Sequence, residues 1–101
     1  MKRILLATAA TAALSGAAIA QSDEPVTLGV AFGFTGPLES LAPPMAQGAE
    51  LAISEASESG QLLGGRSVEA VRGDSTCIDA AAATAAAERL VTSDGVDGIV
   101  G

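Results

Sequence analysis

The sequence predicts an α/β domain built on a doubly wound parallel sheet, of which a first β-α-β-α-β stretch is present. Three observations predict it. Apolar residues alternate over Val26–Phe32 with a second set that is small or apolar too, as in a strand covered on both faces. The period then lengthens to that of a helix, returns to a strand, and repeats the exchange before Gly101. The connections are long enough for helical crossovers, which parallel strands require.

The first element, strand 1, pairs Val26, Leu28, Val30 and Phe32 against Thr27, Gly29 and Ala31. Gly33-Phe34-Thr35-Gly36-Pro37 ends it with turn residues. From Met45 a helix is predicted, with Met45, Ala49, Ala52, Ile53 and Ala56 facing inward and Gln47, Glu50, Ser54 and Ser57 outward. Gly60 and Gly64-Gly65 close it. Ser67–Arg72 reads as strand 2, weakened by Glu69. Asp79 is the expected N-cap of a second helix over Ala80–Val91, whose inward face is Ala83, Ala86, Ala87 and Leu90. Asp94-Gly95 is a turn and Val96–Val100 a third strand. With right-handed crossovers and helices on opposite faces, strand 1 lies between strands 2 and 3. The topological switch point then falls between the carboxyl ends of strands 1 and 3, where open α/β sheets bind ligands. The carboxyl end of strand 1 is Phe34–Leu41.

Composition narrows the function. The 101 residues are 49% hydrophobic and 2% aromatic, with no His, Trp or Tyr and a single Cys. A self-contained zinc site and a Ser-His-Asp or Cys-His catalytic set are therefore excluded from this stretch. No metal, cofactor or catalytic residue is expected here. The net charge of −7 argues against nucleic acid as a partner.

Residues 1–20 read as a signal peptide. Lys2 and Arg3 precede an uncharged run from Ile4 that ends Ala18-Ile19-Ala20, the small-x-small pattern of a cleavage site. A membrane-spanning helix is the competing reading, but the run is short and rich in Ala rather than Leu. Cleavage after Ala20 removes two basic residues and no acid, so the charge of −7 becomes −9. The expectation is an exported, acidic protein in the periplasm, without stable membrane insertion. Residues 21–101 are then the N-terminal part of a longer lobe, because a third strand at Gly101 leaves an open sheet edge.

Two motifs invite chemistry. Gly29, Gly33 and Gly36 do not have the spacing of a dinucleotide fingerprint or a phosphate loop, and no Lys follows Lys2, so tight turn geometry is preferred. Cys77 has no His to activate it. In an exported protein it suits a disulfide with a partner beyond Gly101; a free buried thiol and a catalytic thiol remain open as alternatives.

Taken in order, Val26-Thr27-Leu28-Gly29-Val30, Thr35-Gly36-Pro37, Gly48-Ala49-Glu50-Leu51-Ala52, Leu63-Gly64-Gly65-Arg66, Asp74-Ser75-Thr76-Cys77-Ile78-Asp79 and Val96–Gly101 resemble the opening of type I periplasmic solute-binding proteins. The branch resembled is the leucine/isoleucine/valine-binding family of ABC importers. The resemblance implies two α/β lobes closing on a branched-chain amino acid or related small solute, which is delivered to a membrane permease. It implies that Cys77 pairs with a Cys just after strand 3. The switch point makes Phe34, Thr35, Gly36, Pro37 and Leu41 the expected ligand-binding loop, and the Met45 and Ala46 N–H groups of the helix that follows favour an anion only slightly, because Pro43 and Pro44 lack N–H groups. In the best-known amino-acid binders the position of Leu41 is aromatic, and Pro43-Pro44 is unlike them. An exported ligand sensor of the same fold, or an exported enzyme with catalytic residues beyond residue 101, are the alternative functions.

Overall fold

The computed structural model describes residues 23–101. The signal peptide expected over residues 1–20 lies outside them. Strand β1 (Val26–Phe32), helix α1 (Ala42–Ser59), a short 3-10 turn (Leu62–Gly64), strand β2 (Val68–Asp74), helix α2 (Ala80–Thr92) and strand β3 (Gly98–Val100) follow in chain order. The strands form one parallel sheet in the order β2-β1-β3, as the crossover rule predicts. Val26 is level with Val68 and Phe32 with Asp74, while Leu28 is level with Gly98.

Alternation along the strands divides the chemistry between two faces. On one, Val30, Ala46, Ile53 and Val68 are the buried cluster, with Val26, Leu28, Phe32, Phe34 and Ala49 packed around it. This is the face under α1. On the other, Leu90 of α2 is fully buried. It fills a notch left by two glycines: a Cβ at Gly29 or Gly73 would lie 3.0 or 2.7 Å from Leu90 Cδ1. Close packing of a helix on a sheet needs this kind of matched gap.

Helix α2 follows expectation. Asp79 accepts hydrogen bonds from the N–H groups of Ala81 (2.8 Å) and Ala82 (3.2 Å), Ala86 and Leu90 are buried, and Ala83 and Ala87 are half-buried. Helix α1 departs from it. It starts at Ala42 instead of Met45, because Pro43 and Pro44 fit a first helical turn, where N–H groups lack intrahelical partners anyway. The earlier start accompanies a partly different inward face. Ile53 is buried and Ala49 half-buried as expected, and Ala42 and Ala46 are buried beside them, whereas Met45, Ala52 and Ala56 are exposed. Two polar residues expected outward, Glu50 and Ser57, instead reach β2: Glu50 pairs with Arg72, and Ser57 Oγ accepts from Val68 N at 3.0 Å. Hydrophobic periodicity misassigned the phase because Ala recurs on every side of this helix and alanine carries little directional information.

The other boundaries shift for local reasons. Strand β2 runs to Asp74 rather than Arg72, since Gly73 and Asp74 continue the pairing with Ala31 and Phe32. Strand β3 begins at Gly98 rather than Val96. Val96 N is bound to Leu90 O at the end of α2, and Asp97 grips Thr27 in both directions: Asp97 N to Thr27 O (2.7 Å) and Thr27 N to Asp97 Oδ2 (2.9 Å).

Candidate functional site

The carboxyl ends of β1 and β2 lie side by side, and the segments that leave them are bound to each other. Gly33 allows the approach. A Cβ there would meet the backbone carbonyl of Thr76 at 2.9 Å, closer than real side chains come. The loop after β2 turns sharply enough to put Thr76 and Cys77 in the left-handed region, at φ 56° and 60°. For a β-branched residue this conformation is strained. The Thr76 hydroxyl oxygen is buried without a hydrogen-bond partner among the described residues, a second local cost.

Asp74, the last residue of β2, offsets these costs. Its Oδ1 accepts from Phe34 N (3.0 Å), Thr35 N (3.4 Å) and Thr76 N (3.0 Å), and its Oδ2 accepts from the Thr35 hydroxyl (2.6 Å). The bond to Thr76 closes an Asx-type turn, with the side chain mimicking a backbone turn two residues on. The Thr35 hydroxyl foremost, then the Thr76 N–H, with the N–H groups of Thr35 and Phe34, hold the Asp74 carboxyl below its ordinary value against the opposing effect of burial. Ser75 N completes the junction by donating to Phe32 O at 2.9 Å.

Arg72 lies two residues back on the same face of β2. Its guanidinium meets Glu50 bidentately, at 2.6 Å from Nε and 2.9 Å from Nη2, and its Cζ stands 5.1 Å from the centroid of the Phe34 ring. The hydrogen bond between them lowers the Glu50 carboxyl and raises the Arg72 guanidinium. Phe34 also meets Phe32 edge to face, with centroids 6.5 Å apart.

The five loop residues singled out from sequence therefore have different surroundings. The Phe34 ring packs against the core below the loop. Thr35 is exposed, and both its N–H and its hydroxyl donate to Asp74. Gly36 takes φ 86°, which favours glycine, and leads into exposed Pro37. Leu41 is 57% exposed at the start of α1. The anion-binding expectation for that helix end is corrected. Its unpaired N–H positions fall at Leu41 to Pro44, not at Met45 and Ala46, because α1 begins earlier. Pro43 and Pro44 have no N–H, and the N–H groups of Leu41 and Ala42 both donate to Leu38 O, at 2.9 and 3.1 Å. No free donor remains at this terminus. Cys77 is an exposed free thiol, with Ser75 Oγ 3.4 Å from its sulfur.

Sequence reasoning did not single out Asp74, Arg72 or Glu50 as members of the junction. An Asp at a strand end followed by Ser-Thr is an available turn signal for Asp74. The helical period puts Glu50 on the outward face, so its pairing with Arg72 is not readable from the sequence. Among the described residues no group of three or more His, Cys, Asp or Glu could hold a metal ion, and no helix is long and apolar enough to cross a membrane.

A parallel α/β layer with β1 between β2 and β3 is the architecture of part of a doubly wound lobe. The chain belongs to the periplasmic binding protein family, whose profile, described as "Periplasmic binding protein", matches residues 25–101. It is 37% identical over 101 residues to the "Leu/Ile/Val-binding protein homolog 7" of Brucella suis biovar 1 (strain 1330), covering 100% of this chain and 24% of the relative. The proteins of the same name from Brucella melitensis biotype 1 and Brucella abortus (strain 2308) are 37% and 36% identical over the same span, again 24% of each relative. The chain thus spans about a quarter of the length of these curated relatives. No solved structure matches.

Proposed function

We propose that this chain is the front of the first lobe of the substrate-binding component of an ABC importer, and that it captures a branched-chain amino acid or a related small solute in the periplasm for delivery to a membrane permease. The observation that carries the reading is the strand order β2-β1-β3. It sets the β1 exit loop beside the exit of β3, at a switch point where α/β sheets bind ligands. The family match and the names of the Brucella relatives support the solute class. No bond need be broken in this role, so the side chains need only position and enclose a ligand.

In this reading residues 1–20 are a signal peptide removed after Ala20. The loop Phe34, Thr35, Gly36, Pro37 and Leu41 approaches the ligand, with Leu41 as an apolar wall. The main carboxylate donors come from a segment after Gly101, since the α1 terminus has no free N–H to offer. Cys77 forms a disulfide with a Cys in that same segment.

The test is calorimetric titration of the full-length exported protein with L-leucine, L-isoleucine and L-valine, and with glucose as a chemically unrelated solute. Binding of at least one branched-chain amino acid, and weakening by Leu41→Ala of about 1–3 kcal/mol, the contribution of a buried apolar wall, are the expected results. Absence of amino-acid binding by a folded protein would refute the solute class.

A further inference from the structure

Four donors from two separate loops converge on one carboxylate. Three are backbone N–H groups, on Phe34, Thr35 and Thr76, and the fourth is the Thr35 hydroxyl. All four bonds end on Asp74, the final residue of β2, yet three of them originate in the loop that leaves β1. Apart from this carboxylate, the first turn of that loop is held by few polar contacts. Phe34 N shares its proton with Phe32 O at 3.1 Å, and Gly36 and Pro37 are exposed. We propose that Asp74 is a positioning residue that latches the β1–α1 loop to the exit of β2 and so sets the loop's shape before a solute arrives. The inference rests on the solute-binding reading above and adds to it the device that preorganises the loop.

An acceptor is essential to the arrangement, and the charge strengthens it. A carboxylate accepts only, and offers about four lone-pair sites, so it can gather donors from both loops without needing to donate in return. Hydrogen bonds to an ionised acceptor are roughly twice as strong as neutral ones. Because Oδ1 already takes three donors, this oxygen is committed to the loops and not to a solute. A loop that is competent only part of the time weakens apparent affinity by the competent fraction. The latch therefore acts on affinity without touching the ligand.

The experiment uses the full-length protein and three variants, Asp74→Ala, Asp74→Asn and Thr35→Val. Amide hydrogen exchange is read on the ligand-free protein, and L-leucine is titrated by calorimetry. Asp74→Ala is expected to speed exchange at Phe34, Thr35 and Thr76 by about tenfold or more, as in local opening, while Val30 and Ile53 keep wild-type protection. Leucine affinity should fall by the reciprocal of the competent fraction, about tenfold where the variant keeps the loop in its competent shape about a tenth of the time. Asp74→Asn keeps an acceptor for the backbone N–H groups and should restore part of both. Should Asp74→Ala fail to accumulate as folded protein, Thr35→Val removes only the 2.6 Å bond, and faster exchange at Phe34 and Thr35 carries the same test. Unchanged exchange in the folded Ala variant overturns the latch. So does faster exchange with unaltered leucine affinity, or an Asn variant no better than Ala. Wild-type protein that binds no leucine counts against the functional reading instead, and the exchange arm then decides the latch by itself.

Discussion

Replacing Gly73 by Ala tests the packing that holds the second helix against the sheet. The new Cβ would stand 2.7 Å from Leu90 Cδ1 and 3.2 Å from Leu90 Cγ. Ordinary contact begins at 3.4 Å, so the leucine tip must retreat by about 0.7 Å. Leu90 is 0% exposed, so its tip has no solvent-filled side to retreat into. Overpacking of this kind costs about 1–3 kcal/mol, offset by roughly 0.4–1 kcal/mol of reduced unfolded-state entropy for Gly→Ala. The expected net loss is about 1–2 kcal/mol. Leu90→Ala alone should cost about 2–5 kcal/mol as a buried large-to-small change. The decisive measurement is the double variant. With Leu90 shortened, the methyl introduced by Gly73→Ala meets no obstacle and fills part of the space left behind, so its cost should vanish or reverse. Urea unfolding of the full-length protein followed by circular dichroism gives all four corners of the cycle. A Gly73→Ala variant as stable as wild type, or one equally costly in both backgrounds, would refute the notch argument.

Three further outcomes follow from the geometry. Asp79→Ala removes the acceptor for Ala81 N and Ala82 N and should destabilise by about 0.5–2 kcal/mol, read as a lower Tm, whereas Asp79→Ser should retain most of the stability. Asp74 and Glu50 are both lowered in the folded state, from ordinary values of 3.8 and 4.5. Their contribution is therefore present above those values and is lost as pH falls through them toward the folded ones, so the Tm of Asp74→Asn should vary less steeply across that acid range than that of wild type; an identical slope would show that the Asp74 bonds do not bear on stability. Cys77 in the full-length, unreduced protein should resist alkylation and appear in a disulfide-linked peptide with a Cys beyond Gly101, and complete native alkylation would count against the pairing.

How much of this was legible beforehand depended on whether a signal was local. The β-α-β-α-β order, the placement of β1 between β2 and β3, and the Asp79 cap were all readable, because periodicity, crossover handedness and capping act over a few residues or through chain connectivity. The motifs along residues 26–101 also pointed to the family to which the chain belongs. The fate of each loop residue was not readable in the same way. Phe34, Thr35 and Leu41 are neighbours in the chain, yet one packs into the core, one is bound to Asp74 and one is exposed.

Residue types and their spacing by themselves determined the fold class of this protein, because burying an apolar stripe or a strand face has few solutions once the period is set. Only the tertiary structure decided which face of α1 meets the sheet, that Glu50 and Arg72 pair across 22 residues of chain, and that Asp74 ties together loops 39 or 40 residues apart. Those contacts depend on where two distant backbones come to rest relative to each other. In an alanine-rich helix many rotations bury similar area, so the close fit at Ile53, Ser57 and the Gly29–Gly73 notch, rather than hydrophobicity along the chain, selects among them.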